Sequence, residues 1–212
     1  LGMFMVSATT FVVLFEHPAF SLTTLIPSEV ERRMCIGAAM GITAILLIYS
    51  RWGKQSGAHM NPAVTLANYR LKRISLHDAA GYILFQVLGA SVAMLLLKYF
   101  FQNYLSHPSV NYIVTEPGMQ GIAVAAIAEF LMSFFMFLMV MIVSNSRFAK
   151  YTGWFAGALV FIFISVEAPI SGMSINPARS FGSSIAAGSW ASFWLYIISP
   201  IAGMQLSAYL FR

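Results

Sequence analysis

Long apolar runs alternate with short polar segments along the whole chain. Crossing about 30 Å of hydrocarbon takes roughly 20 helical residues. Met34 to Ile48, Ala79 to Leu97, Ile122 to Val143, Gly153 to Val166 and Trp190 to Leu210 read as such spans, two of them slightly short. Leu1 to Phe15 reads as the tail of a first span whose beginning lies outside this sequence. A signal peptide is the competing reading, but no basic segment precedes the run and no small-residue cleavage site follows it. Two further apolar stretches are too short to cross: His59-Met60-Asn61-Pro62-Ala63-Val64-Thr65-Leu66 and Ser174-Ile175-Asn176-Pro177-Ala178-Arg179-Ser180-Phe181. Asn is a strong helix N-cap and Pro is favoured at the first helical position. Each stretch therefore predicts a helix starting at its Asn. About nine residues at 1.5 Å each reach roughly 13 Å, half a bilayer.

Composition changes the solvent. Of 212 residues, 59% are apolar and only 9% charged, against about 25% charged in soluble domains, and mean hydropathy is +0.77. Such a chain cannot cover a water-facing surface, so the lipid bilayer is its expected partner. The net charge of +5 does not point to nucleic acid, because no basic cluster is interleaved with polar surface. The cations sit instead between apolar runs. Placing loops 51–73 and 144–151 and the C-terminus inside puts Arg51, Lys54, Arg70, Lys72, Arg73, Arg147, Lys150 and Arg212 in the cytoplasm. Loop 102–118 then lies outside without Lys or Arg, and loop 16–31 with Glu16, Glu29 and Glu31. The positive-inside rule favours that orientation. The single cysteine, Cys35, excludes an intrachain disulfide and reads as a buried, inert thiol.

The two halves repeat. Gly37-x-x-x-Gly41 precedes the first Asn and Gly153-x-x-x-Gly157 the second, with 20 and 19 residues from each second glycine to its Asn. Small residues at this spacing let helices approach closely in lipid. Three spans per half is an odd number, so the second half enters the membrane inverted. Inverted repeats bring broken helices face to face near the midplane. The expected fold is an all-α membrane protein with six transmembrane helices and two re-entrant half-helices. It is a single channel domain over 1–212, with a first repeat over 1–101 and a second over 119–212. Irregular backbone at membrane depth must be buried or line a wet cavity. Each Asn is expected to use its oxygen on its own helix and to point its NH2 group into a pore. The two helix N-termini add partial positive charge there, which disfavours protons and cations.

The paired motifs, Ser-Gly-Ala-His-Met-Asn-Pro-Ala-Val-Thr and Ser-Gly-Met-Ser-Ile-Asn-Pro-Ala-Arg-Ser-Phe-Gly-Ser, separated by three spans, resemble the aquaporin (major intrinsic protein) family, in its water-channel-like branch. The resemblance spans essentially the whole chain. It implies a passive channel for water or other small neutral solutes, not an enzyme, without cofactor, in a cell membrane as a homotetramer with one pore per subunit. In that family half-helix dipoles and a filter arginine exclude protons. Arg179 matches the filter arginine. Ile164 and Met173 match two other filter positions, and Met40 the last if loop 50–56 holds one extra residue; otherwise it is Gly41. The common water channels have His where this chain has Ile164, so the solute is left open. Ser180 in place of the Asp usual in glycerol channels, and Tyr196 four residues before Pro200, favour water over glycerol.

Among ionisable groups, Glu129 lies deep in an apolar run, a functional-site signal by default. The family resemblance implies that it braces a re-entrant loop, a role preferred over proton transport, and Glu167 is given a similar role. His59 is expected to brace or line the inner vestibule, where its titration near neutral pH makes gating conceivable. His17, His77 and His107 read as solvated loop residues. No Cys/His/Asp cluster has metal spacing and no nucleophile–base pair stands out. The alternatives are a glycerol or small-solute facilitator of the same family, an ion-coupled secondary transporter and a structural membrane protein.

Overall fold

The computed structural model describes residues 1–211. Arg212, counted above among the cytoplasmic cations, lies outside the described residues. Helix α1 (Gly2–Glu16) and the one-turn α2 (Leu22–Leu25) lead into α3 (Glu29–Tyr49), α4 (Arg51–Ser56), the half-helix α5 (Pro62–Arg70) and α6 (Leu76–Leu105). The second half runs through α7 (Ile122–Ser144), α8 (Thr152–Ser171), the half-helix α9 (Pro177–Ala187) and α10 (Phe193–Phe211). Among the described residues there is no strand. Five of these helices, α3, α6, α7, α8 and α10, are long and apolar enough to cross a membrane. Helix α1 has 15 residues, about 22 Å of rise, and stands beside α3 and α6 as the sixth of the bundle.

Local chemistry sets the ends. Ser28, Ser50 and Ser75 cap α3, α4 and α6 by accepting from the amides of Glu31, Gly53 and Asp78, as short hydroxyl side chains do at helix starts. Glu29 and Glu31 occupy the first turn of α3, where the helix dipole favours carboxylates. Glycines in the left-handed conformation close α4, α8 and α9. Several boundaries depart from the sequence expectations. Segment 51–73 is no simple loop, since Arg51–Ser56 forms a helical turn before the half-helix. Helix α6 continues past Leu97 to Leu105, with a break in helical geometry at Phe101. Trp190 falls in the turn before α10. His17 is buried rather than solvated, its ring edge-on to Tyr104 and tilted against His107, while Cys35 is half-buried rather than enclosed.

The halves pair their helices in the same way. Helix α1 packs on α3 and α6 as α7 packs on α8 and α10; α5 lies on α10 as α9 lies on α6; α3 meets α8 across the centre. The repeated glycines make that central crossing close. A Cβ on Gly41 would stand 2.6 Å from the Gly157 carbonyl oxygen, and one on Gly157 the same distance from that of Gly41. Gly157→Leu is therefore expected to push α3 from α8, at a cost of about 1–3 kcal/mol. Thermal unfolding in detergent checks this, and an unchanged midpoint would contradict it.

The cationic segments gather at one end of the bundle. Tyr49 Oη donates to the Lys150 carbonyl at 2.7 Å and accepts from the Gly153 amide, so the α3–α4 corner adjoins the start of α8. Arg70 reaches Gln205 near the end of α10. At the end where α1 finishes and α3 starts, Arg32 pairs with Glu16 at 2.9 Å.

Candidate functional site

The half-helices start where their motifs place them. Asn61 Oδ1 accepts from the Ala63 amide at 2.9 Å, and Asn176 Oδ1 from Ala178 and Arg179 at 3.1 and 3.3 Å. Pro62 and Pro177 occupy the first helical positions and, with Ala63 and Ala178, are buried. The NH2 groups are not both free, as the sequence suggests. Asn61 Nδ2 donates to the Ile175 carbonyl at 2.6 Å, and Asn176 Nδ2 to the Met60 carbonyl at 2.8 Å. Each Asn thus ties its own helix start to the opposite loop. An amide group has two N–H donors, so one remains on each side.

The loops before the motifs follow one plan. Gly57 and Gly172, four residues before each Asn, have φ of 61° and 80°; Ala58 and Met173, three before, have 54° and 46°. Ile175 adds another positive φ of 46°. Left-handed backbone in a non-glycine residue costs roughly 1–2 kcal/mol and persists only when its surroundings hold it. For the second loop the support is Glu129, fully buried on α7. Its Oε1 accepts from Ser171 Oγ at 2.7 Å and the Ser174 amide at 2.6 Å, and its Oε2 from the Ile175 amide at 2.6 Å. Buried Tyr196 donates to the Ser171 carbonyl at 2.6 Å. For the first loop, the Gln86 side chain on α6 donates to the His59 carbonyl and to Thr65 Oγ1.

Glu167 differs from expectation. It is buried, yet neither carboxylate oxygen has a hydrogen-bond partner.

Between these loops and three helices runs a cavity of about 470 Å³. Its lining recurs at helical spacing: Phe4, Ala8, Val12 and Glu16 on α1; Glu29, Arg33, Ile36, Met40 and Ala44 on α3; Ala156, Val160, Ile164 and Ala168 on α8. Asn61, Asn176, Met173 and Arg179 complete it. Met40, Ile164, Met173 and Arg179 thus share one space. Met40 lines it, whereas Gly41 faces Gly157 at the crossing. Ser7 Oγ donates to Met40 Sδ at 3.7 Å and shares a hydrogen bond with Thr43. His59 is not in the lining; its ring packs at a tilt against Tyr82 with centroids 5.0 Å apart.

Arg179 is half-buried. Its Nη1 donates to the Ile113 carbonyl at 2.8 Å and lies 3.5 Å from Ser183 Oγ. A guanidinium at this depth requires such acceptors or a wet cavity. The loop that supplies Ile113 is itself fastened, since Thr115 Oγ1 shares a 2.7 Å hydrogen bond with Ser180 Oγ, which also contacts Ser174 Oγ at 2.6 Å. Sequence reasoning missed this loop and Gln86. It also missed Lys98, which donates to the Ala186 carbonyl at 2.7 Å. A lone cation at the end of an apolar run was its available signal, by the criterion that singled out Glu129.

Among the described residues, no group of three or more His, Cys, Asp or Glu side chains is placed to hold a metal ion. The arrangement offers a space with largely apolar walls, a few fixed donors and two guanidiniums, Arg179 and Arg33.

Residues 3–211 match the family model described as major intrinsic protein. A similar curated protein is aquaporin NIP1-2 of Arabidopsis thaliana, 30% identical over 84% of this chain and 61% of its own length. Another is the glycerol uptake facilitator protein-like 6 of Lactiplantibacillus plantarum, 36% identical over 84% of each chain. The chain spans about six tenths of the length of the plant relatives that it matches. Among solved structures, the aquaglyceroporin from Plasmodium falciparum shares the fold with a TM-score of 0.77, over 99% of this chain and 91% of that one, at 19% identity. With its inverted pairing of helices, two opposed half-helices and a family match over nearly its whole length, this chain belongs to the major intrinsic protein family.

Proposed function

We propose that the chain forms a passive transmembrane channel for water and other small neutral solutes that rejects protons and ions. One observation carries this: Asn61 and Asn176, each tied to the opposite loop, line the same cavity as Arg179. The remaining N–H of each Asn can meet a solute oxygen. The helix N-termini and the guanidinium raise the potential there, disfavouring cations. Met40, Ile164 and Met173 form the apolar part of the filter around Arg179. Glu129, and His59 through its carbonyl, brace the loops. Repeats 1–101 and 119–212 act together as one channel domain without a cofactor, and the family suggests a homotetramer with one pore per subunit. The cationic end, with segments 51–73 and 144–151, faces the cytoplasm.

A second reading, a facilitator for glycerol-sized neutral solutes, is favoured by the filter itself. Three apolar walls beside one guanidinium suit a molecule with both C–H and O–H faces. The Lactiplantibacillus relative, named a glycerol uptake facilitator protein, supports the same direction. An ion-coupled transporter has less support, because Glu129 is already engaged by three donors.

Protein-containing and empty vesicles, given an osmotic step with an impermeant solute and then with glycerol, separate these readings. Faster shrinkage in the first case is expected for a water pore, and faster re-swelling in the second for a facilitator. Rates equal to those of empty vesicles in both would contradict a channel.

A further inference from the structure

Lys98 lies within α6 just after the apolar run that ends at Leu97. A cation in a membrane helix is expensive to retain without a partner or a task. Helical side chains lean toward the N-terminal end of their helix. The ammonium donates to the Ala186 carbonyl at 2.7 Å, in the last turn of half-helix α9, and stands 5.3 Å from the centre of the Tyr112 ring. Both partners matter for Arg179. Helix α9 carries Arg179 in its first turn, and its C-terminal carbonyls attract a cation. Tyr112 precedes Ile113, whose carbonyl accepts from Arg179 Nη1.

The turn that presents this carbonyl is strained. Asn111, Tyr112 and Ile113 have φ of 41°, 49° and 50°. Three successive left-handed residues, none a glycine, need external support. One ammonium therefore touches both the end of the helix that bears the guanidinium and the turn that holds its acceptor.

We propose that Lys98 is a positioning residue for Arg179, fixing where the guanidinium stands in the cavity and so setting the channel's choice among neutral solutes. The inference rests on the channel function proposed above. Without Lys98 the Tyr112 turn relaxes, the Ile113 carbonyl withdraws, and the guanidinium no longer holds one place against the apolar walls.

The test compares wild type, Lys98→Met, Lys98→Arg and Tyr112→Leu in vesicles, measuring water and glycerol permeability on each preparation. A purely structural defect removes working channels and lowers both permeabilities together, leaving their ratio fixed. A displaced guanidinium changes the ratio. The glycerol-to-water ratio is expected to rise several-fold in Lys98→Met and in Tyr112→Leu. It should return toward wild type in Lys98→Arg, which keeps the charge and the donor. An unchanged ratio in Lys98→Met, or a ratio in Lys98→Arg as high as in Lys98→Met, would overturn the inference. If Lys98→Met does not fold, Tyr112→Leu decides, and an unchanged ratio there overturns it. Wild-type vesicles that pass neither solute would overturn the channel function instead.

Discussion

Arg179→Val should open the pore to protons and to larger neutral solutes while leaving water flux in place. A cation about 4 Å from a guanidinium, at an effective dielectric constant of about 20, is repelled by roughly 4 kcal/mol. That energy corresponds to about a thousandfold in occupancy, an upper limit on the leak. The N-termini of α5 and α9 remain in the variant and keep part of the barrier. The loss also frees the Ile113 carbonyl, widening the space beside Met40 and Ile164. A pH-sensitive dye inside vesicles under a proton gradient measures the leak, and glycerol re-swelling measures the solute effect. Proton and glycerol rates equal to wild type would count against a filter role for Arg179.

Glu129→Leu should be the most damaging substitution for the folded state. It strips the acceptor from Ser171 Oγ and from the amides of Ser174 and Ile175, all buried. Each buried donor left unpaired costs about 1–3 kcal/mol, so the loss reaches several kcal/mol. The loop that it holds contains Met173 and Ile175 in left-handed backbone, which relaxes once the support is gone. Glu129→Gln retains one acceptor oxygen and should fall between wild type and Glu129→Leu. Thermal unfolding in detergent, together with water flux, reads both. The bracing role fails if Glu129→Leu unfolds and conducts like wild type.

The features most legible in the sequence were those with a local physical signature. Asn followed by Pro announces a helix start, and Asn61 and Asn176 cap α5 and α9 accordingly. Glu129 stands out because charge in an apolar run is costly, and Arg179 because it follows the second motif where the family resemblance places a filter arginine. Other features depend on geometry with no residue code. Asn111–Ile113 turns left-handed without a glycine, and nothing in its composition marks the Ile113 carbonyl as the acceptor for Arg179. That Met40 faces the cavity while Gly41 faces Gly157 follows from the crossing of α3 and α8, which motif spacing does not show. The Asn NH2 groups, expected to point into a pore, each donate to a carbonyl of the opposite loop.

The central claim is a passive pore, and its most direct test is the temperature dependence of osmotic shrinkage in purified vesicles without any ion gradient. A continuous path predicts shrinkage well above that of empty vesicles, with an activation energy close to that of diffusion in liquid water. Shrinkage no faster than through lipid alone, or appearing only when a proton or sodium gradient is imposed, would contradict it.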